Sequence, residues 1–211
     1  KNASISYNWI LHVPKIKKDI RSPGSSVMNA FYYGYERKKN QDFDVIMKLD
    51  ADIILPVDYI QKIAKNIQSN DKIGICGGVC VTNRIQERIT NLDHVRGAIK
   101  SYRKKCFSEI GGLLKEMGWD TIDEHTARYF GWEVLVFKNL KVEHQRKTNL
   151  KFGYIRAGYI NGRMLYSIRM DFVLMLSNMI KWSFRFPYIL PGLFLFFGYI
   201  KSFLFSDKKI I

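Results

Sequence analysis

The chain is 211 residues long, 47% hydrophobic and 14% aromatic, with 34 Lys plus Arg against 19 Asp plus Glu and a formal net charge of +15. Those proportions exclude a disordered basic tail, leave room for one good core, and favour an anionic partner: nucleic acid, an acidic membrane surface or phosphorylated ligands. The three cysteines (Cys76, Cys80 and Cys106) are odd in number and show no CxxC spacing, so they read as free thiols in a reducing compartment.

Residues 1–20 mix apolar and basic residues without a sustained period and read as a loop or irregular strand. Arg21, Ser22, Pro23 and Gly24 carry turn chemistry. Ser25 or Ser26 can then cap a helix to about Lys39, with Val27, Ala30, Phe31 and Tyr35 as its apolar stripe. The stretch 44–56, DVIMKLDADIILP, is the centre around which the chain is organised. Its run of Val45, Ile46, Met47 and Leu49 predicts a buried strand, ended at once by Asp50, Ala51 and Asp52. Two carboxylates one residue apart in an extended chain point the same way. At the end of a parallel strand they lie where open α/β sheets keep their ligands. Such a pair suits Mg²⁺ or Mn²⁺, whose shell is completed by phosphate oxygens. The same two aspartates also read as solvated turn residues.

Pro56 opens a second helix, from Val57 to about Ser69, with Tyr59, Ile60, Ile63, Ala64 and Ile67 at helical spacing. A buried run at 73–81 comes next, interrupted by Gly77 and Gly78, which mark either a bulge or a close ligand approach; the bulge is favoured. Helix, strand, helix, strand predicts a parallel or mixed sheet. Residues 82–100 are polar, without a clean period, and read as a long surface loop of the kind that carries substrate contacts. Within it Asp93, His94, Arg96 and Gly97 gather groups able to hold an anion. A short helix at 104–110 ends at Gly111 and Gly112.

Then comes GWDTIDEH, residues 118–125. Asp120 is placed to cap a helix through about Phe130, with Asp123 and Glu124 in its first turn beside the positive end of the dipole. Either capping explains all three acids, or one is a general base beside the DAD turn. Gly131 stops this helix. Residues 132–137 form a strand, and a further extended segment ends at His144 and Arg146. His144 is either a surface histidine or a nitrogen ligand to the same cation.

A strand ending in DAD, then GGL before a GWD–DE helix, then GWEV and a strand ending in a histidine: this order resembles glycosyltransferase family 2 over residues 21–146. The resemblance implies a GT-A fold, a Rossmann-like α/β architecture with a mostly parallel sheet sandwiched by helices. It also implies an inverting enzyme. By the family's motif, Asp50 and Asp52 bind Mn²⁺ or Mg²⁺ on the diphosphate of a nucleotide-sugar donor, with His144 as a further ligand. Asp123 is the favoured base, Glu124 next and Asp120 the cap, while His94, Arg96 and Trp119 fall where substrate binds. Two departures stand out. The acids read D-T-I-D-E instead of an adjacent E-D, and the family's first strands, which hold the nucleotide base, find no counterpart. The catalytic domain is expected at 1–150 as an N-terminally incomplete unit.

From Asp171 the composition changes, and 187–200 (PYILPGLFLFFGYI) is apolar for fourteen residues. That is short of a span of about 20 residues, and between Lys151 and Ile211 only Asp171 and Asp207 oppose nine Lys/Arg. Residues 151–211 therefore predict an amphipathic helical tail on an anionic membrane, at its cytoplasmic face. A glycan or lipid-linked acceptor in cell-envelope synthesis is the partner that this implies. The alternatives are packing of the tail on the protein itself, a membrane-associated scaffold that keeps the fold without catalysis, and a basic nucleic-acid-binding protein. Against the last, the aromatics gather in an apolar tail and not in a basic groove, so no nucleic acid is expected.

Overall fold

A computed structural model of the chain describes residues 10–13, 25–82, 85–86, 94–145, 153–207 and 209. Most of the irregular segment read at 1–20, the turn at 21–24, Asp93 and Arg146 lie outside the described residues. Helix α1 (Ser25–Tyr35) precedes strand β1 (Val45–Leu49), and β2 (Ile53–Ile54) follows the DAD turn. Next come α2 (Tyr59–Ser69), β3 (Ile73–Thr82), β4 (Ile85–Gln86), β5 (Ile99–Arg103) and α3 (Lys104–Glu109). Helix α4 (Trp119–Tyr129) and strand β6 (Glu133–His144) complete the sheet region. Helices α5 (Gly153–Ser167), α6 (Phe172–Ser183) and α7 (Leu190–Leu204) close the chain.

The architecture is mixed α/β, with a single sheet of order β1-β5-β3-β6-β2 and β4 beside β3. The mostly parallel pairing expected is not what forms: β3/β6 is parallel, while β1/β5, β3/β5, β2/β6 and β3/β4 are antiparallel. Strands β1, β3 and β6 do share a direction, as the helix–strand alternation implied. The difference comes from β5, read as the end of a surface loop, which wedges between β1 and β3 and reverses both contacts. Its polar sequence IKSYR hid it: Lys100, Ser101 and Tyr102 are buried.

Helices cover both faces. On one side Met28 of α1, Phe107 of α3 and Trp119 and Ala127 of α4 meet Ile46, Ile75 and Val134. On the other, Tyr59, Ile63 and Ile67 of α2 lie on Ile73, Ile99 and Val142. Ile60, expected in that stripe, points outward and is 58% exposed. Gly77 and Gly78 mark a bulge, where the β3/β6 register shifts between Gly77 and Val79. The close approach there is by the chain's own backbone, since a Cβ on Gly77 would meet Ile99 O at 2.7 Å and one on Gly78 would strike Leu140 O. A third cluster, Leu165, Tyr166, Met175, Leu195 and Tyr199, lies among α5, α6 and α7. No helix among the described residues is long and apolar enough to cross a membrane.

Candidate active site at the end of strand β1

The apolar run of β1 ends at Leu49 because Asp50 turns away: its backbone N–H bonds Ala98 O at 3.0 Å, and Asp50–Asp52 form the turn into β2. Beside this turn, α1 and the end of β1 bound a cleft of about 550 Å³ lined by Ser26, Phe31, Met47, Lys48, Asp50 and others. Short β2 pairs with the far end of β6, Ile53 opposite His144, so the chain itself brings His144 to the second aspartate. His144 is not a surface histidine; it is buried, and its Nε2 lies 3.5 Å from Asp52 Oδ1. Gln145 N donates to Asp52 O at 2.9 Å and locks this corner.

Among the described residues no group of three or more His, Cys, Asp and Glu side chains gathers into a metal cage. The donors present, Asp52 with His144 and Asp50 two residues back, are hard oxygens and an imidazole. They fit a divalent cation that takes its remaining positions from phosphate oxygens and water.

Helix α4 packs on the same face of the sheet as α1, and its start differs from the expectation. Gly118, at φ 84°, occupies the N-cap position without a side-chain cap, so Asp120 caps nothing and sits in the first turn. Asp123 and Glu124 fall one turn later, facing inward. Asp123, favoured as base, is 4% exposed. Lys100 Nζ donates to its two oxygens at 2.7 and 3.0 Å, and the Tyr102 hydroxyl donates to Oδ2. Burial raises its pKa, against the pull of Lys100 and Tyr102.

Glu124 is equally enclosed. It accepts from Val95 N at 2.8 Å and Lys100 Nζ at 2.9 Å, and holds His94 Nδ1 at 3.0 Å. Burial pushes its pKa up, but the His94 contact and the Lys100 charge overcome this and hold it below the usual glutamate value. Both carboxylates are therefore ties between α4, β5 and the 94–98 segment. Trp119, expected against substrate, is a core residue 7% exposed.

That leaves Asp120. It is half-buried, and its Oδ2 comes within 3.1 Å of where a Gly97 Cβ would stand. Gly97 O in turn accepts from Lys48 Nζ at 2.7 Å, and the same ammonium donates to Asp50. Through Gly97 and Lys48, Asp120 and the DAD turn share one side of the sheet. His94, with 27% of its side chain exposed, and half-buried Arg96 belong to the segment between them. Lys48, Lys100 and Tyr102 were missed from the sequence. Only Lys48, a cation inside an apolar strand and two residues before a carboxylate, carried a signal there.

No family model matches this chain, and no curated protein matches it. Among solved structures it is similar to a mannosyltransferase, PcManGT from Pyrobaculum calidifontis, in complex with GDP-Man and Mn²⁺. That likeness has 15% identity and a TM-score of 0.48, covering 89% of this chain and 56% of that one. The chain thus spans little more than half the length of that protein, and a likeness of this degree carries no argument about function.

Proposed function

We propose that this chain carries the catalytic side of a glycosyltransferase, which moves a sugar from a nucleotide-sugar to a hydroxyl acceptor with inversion. The observation that carries the reading is the acidic turn at the end of β1, with a histidine beside its second aspartate and with Asp120 linked to its first through Gly97 and Lys48. His144 lies 3.5 Å from Asp52, and Asp120 is half-exposed. Asp52 and His144 would hold Mn²⁺ or Mg²⁺, which would supply charge stabilisation for a diphosphate leaving group. Asp120 accepts the proton of the acceptor hydroxyl. As that oxygen bonds to C1 of the sugar, the bond from C1 to the diphosphate breaks, and the nucleoside diphosphate leaves from the opposite face. Asp123 and Glu124, saturated by Lys100, Tyr102, His94 and Val95, position the helix that carries Asp120. The acceptor is a glycan or a lipid-linked hydroxyl.

The test is Mn²⁺-dependent release of nucleoside diphosphate from a panel of nucleotide-sugars, with wild type, Asp52→Asn and Asp120→Asn in parallel. Slow release from one donor, abolished by chelator and by Asp52→Asn, is expected. Asp120→Asn should suppress transfer to acceptor while leaving donor binding intact. If no nucleotide-sugar is bound or turned over, with vesicles and candidate acceptors supplied, the reading fails.

A further inference from the structure

Helix α7 is built inside out. The side chains that it turns to solvent include Leu190, Leu193, Phe194, Phe197, Lys201 and Leu204, a continuous stripe at helical spacing, with Phe203 exposed beside it. The side it buries holds Pro191, Gly192, Gly198 and Ser202, with Leu195 and Tyr199 as its large members. A helix folded against a core in water shows the reverse pattern.

Beside the apolar cluster that it shares with α5 and α6, it makes close backbone contacts. Gly158 and Gly162 of α5, four residues apart, let the backbones meet: a Cβ on either would strike Pro191 O or Leu195 O of α7. Gly198 stands in the same relation to Tyr159 O. Small residues at that spacing, with large apolar residues turned outward, are what a lipid-facing helix pair uses.

Helix α6 runs back along α7, Phe172 lying 6.4 Å from Tyr199 at one end and Ser183 against Gly192 at the other. The outward apolar surface covers both ends of this hairpin. Val173 is 68% exposed near Phe205 at 74%, and Phe184 is 77% exposed near Ile189 at 62%. The hairpin therefore presents its length, not a tip. Exposed Lys181, Arg185 and Lys201 are set along it. The acids of the segment are used internally: Asp171 caps Val173 N at 2.8 Å, and Asp207 takes Arg163 at 3.0 Å and Ser202 at 2.7 Å.

From this we infer that the α6–α7 hairpin lies flat in the interface of an anionic lipid bilayer, with its aromatic and aliphatic stripe in the acyl boundary and Lys181, Arg185 and Lys201 on headgroups. A second copy of the chain fits less well. A two-fold contact through this face would gather the three cations of both copies on one surface, where Asp171 and Asp207 are already engaged within each copy. Arg185 stacked 4.1 Å from the Trp182 ring is an arrangement suited to the headgroup zone. The inference does not depend on sugar transfer at the DAD turn.

The experiment is vesicle flotation of the full chain with phosphatidylcholine alone and with phosphatidylglycerol added, at low and high salt, beside light scattering without lipid. The variants are Leu193→Gln with Phe197→Gln, and Lys181→Gln with Arg185→Gln. All four side chains are exposed, and thermal melts verify that folding is unchanged. Wild type should float with anionic vesicles and less so in high salt. The apolar pair should lose roughly tenfold or more on every vesicle. The charge pair should lose roughly 25-fold, about fivefold per cation, on anionic vesicles alone. Absence of flotation, flotation indifferent to both variants, or a lipid-free dimer that the apolar pair dissolves would each overturn the inference.

Discussion

Lys48 and Lys100 stand directly opposite each other on the antiparallel pair β1/β5, and both ammonium groups are buried against one indole. Lys48 Nζ lies 5.2 Å and Lys100 Nζ 5.7 Å from the Trp119 ring. Like charges at facing positions repel, so each needs its own compensation. Lys100 finds it inside, on Asp123 and Glu124. Lys48 finds it at the surface, on Asp50 and Gly97 O. One lysine thus binds the scaffold together, and the other places a fixed positive charge under the first aspartate of the DAD turn.

That fixed charge competes with any divalent cation for Asp50. Replacing Lys48 with Met should therefore tighten Mn²⁺ binding by about fivefold, equivalent to about 1 kcal/mol at a half-exposed carboxylate. Paramagnetic-resonance titration of Mn²⁺ without nucleotide reads this directly. Distortion of the turn would weaken binding instead, so the sign of the change separates charge competition from structural damage.

Asp123 and Asp120 should part company on substitution. Asp123→Asn removes one partner of a fully buried lysine and should lower unfolding stability by about 3 kcal/mol. Asp120→Asn touches no such tie, so its stability should stay within about 0.5 kcal/mol of wild type, while transfer to acceptor falls. Denaturant titrations beside a turnover assay check both. If Asp123→Asn instead left stability intact and removed turnover, the base would have to be sought one turn further along α4.

The sequence made β1 and β3 legible as apolar runs, α2 by its helical spacing, and α4 by the acids at its start and Gly131 at its end. It also singled out Asp50, Asp52 and His144, of which pairing across β2 and β6 brings the last two together. Strand β5 was not legible: IKSYR is polar, and its burial depends on Asp123 and Glu124, about twenty residues later. The surroundings of the three acids on α4 were not legible for a related reason. Composition cannot tell a carboxylate saturated by a distant lysine from one left half-exposed. The N-cap expectation failed locally, because Gly118 takes a left-handed conformation and starts the helix ahead of Asp120.

Acid stability should report Glu124. Despite burial, its pKa is held below the ordinary value by His94 and Lys100. The unfolded state therefore takes up its proton first as pH drops. The stability it lends is complete above the unfolded-state pKa of about 4.3 and is lost as pH falls through the lowered folded-state value. Asp123, raised by burial, has the opposite sign and softens the same limb. Glu124→Gln should flatten the acid loss of stability while lowering stability near neutral pH, as measured by denaturation across a pH series.

The three thiols should prove inert in the folded chain. Cys76, Cys80 and Cys106 are buried outside any disulfide, and burial pushes the Cys76 and Cys106 thiols up to about 12. The thiolate is the reactive form, so neither access nor ionisation favours attack near pH 8. A disulfide dye should titrate no thiol in native protein and all three after denaturation. Fast labelling of the native chain would mean that β3 or α3 opens readily.

Gly162→Ala tests the close seam between α5 and α7. The added methyl would strike Leu195 O and lie 2.9 Å from Tyr199 N, both backbone atoms of a helix that cannot rotate aside. In an exposed helix the same change would stabilise by about 1 kcal/mol through propensity alone. Here the helices must separate, and overpacking of this kind costs about 1–3 kcal/mol. A lowered melting temperature is the expected sign, with Gly34→Ala as the control, since nothing lies within 4 Å of a Cβ there. A Gly162 variant as stable as wild type would mean that α7 is not seated on α5 as described, and the outward stripe of Leu193 and Phe197 would lose its fixed orientation.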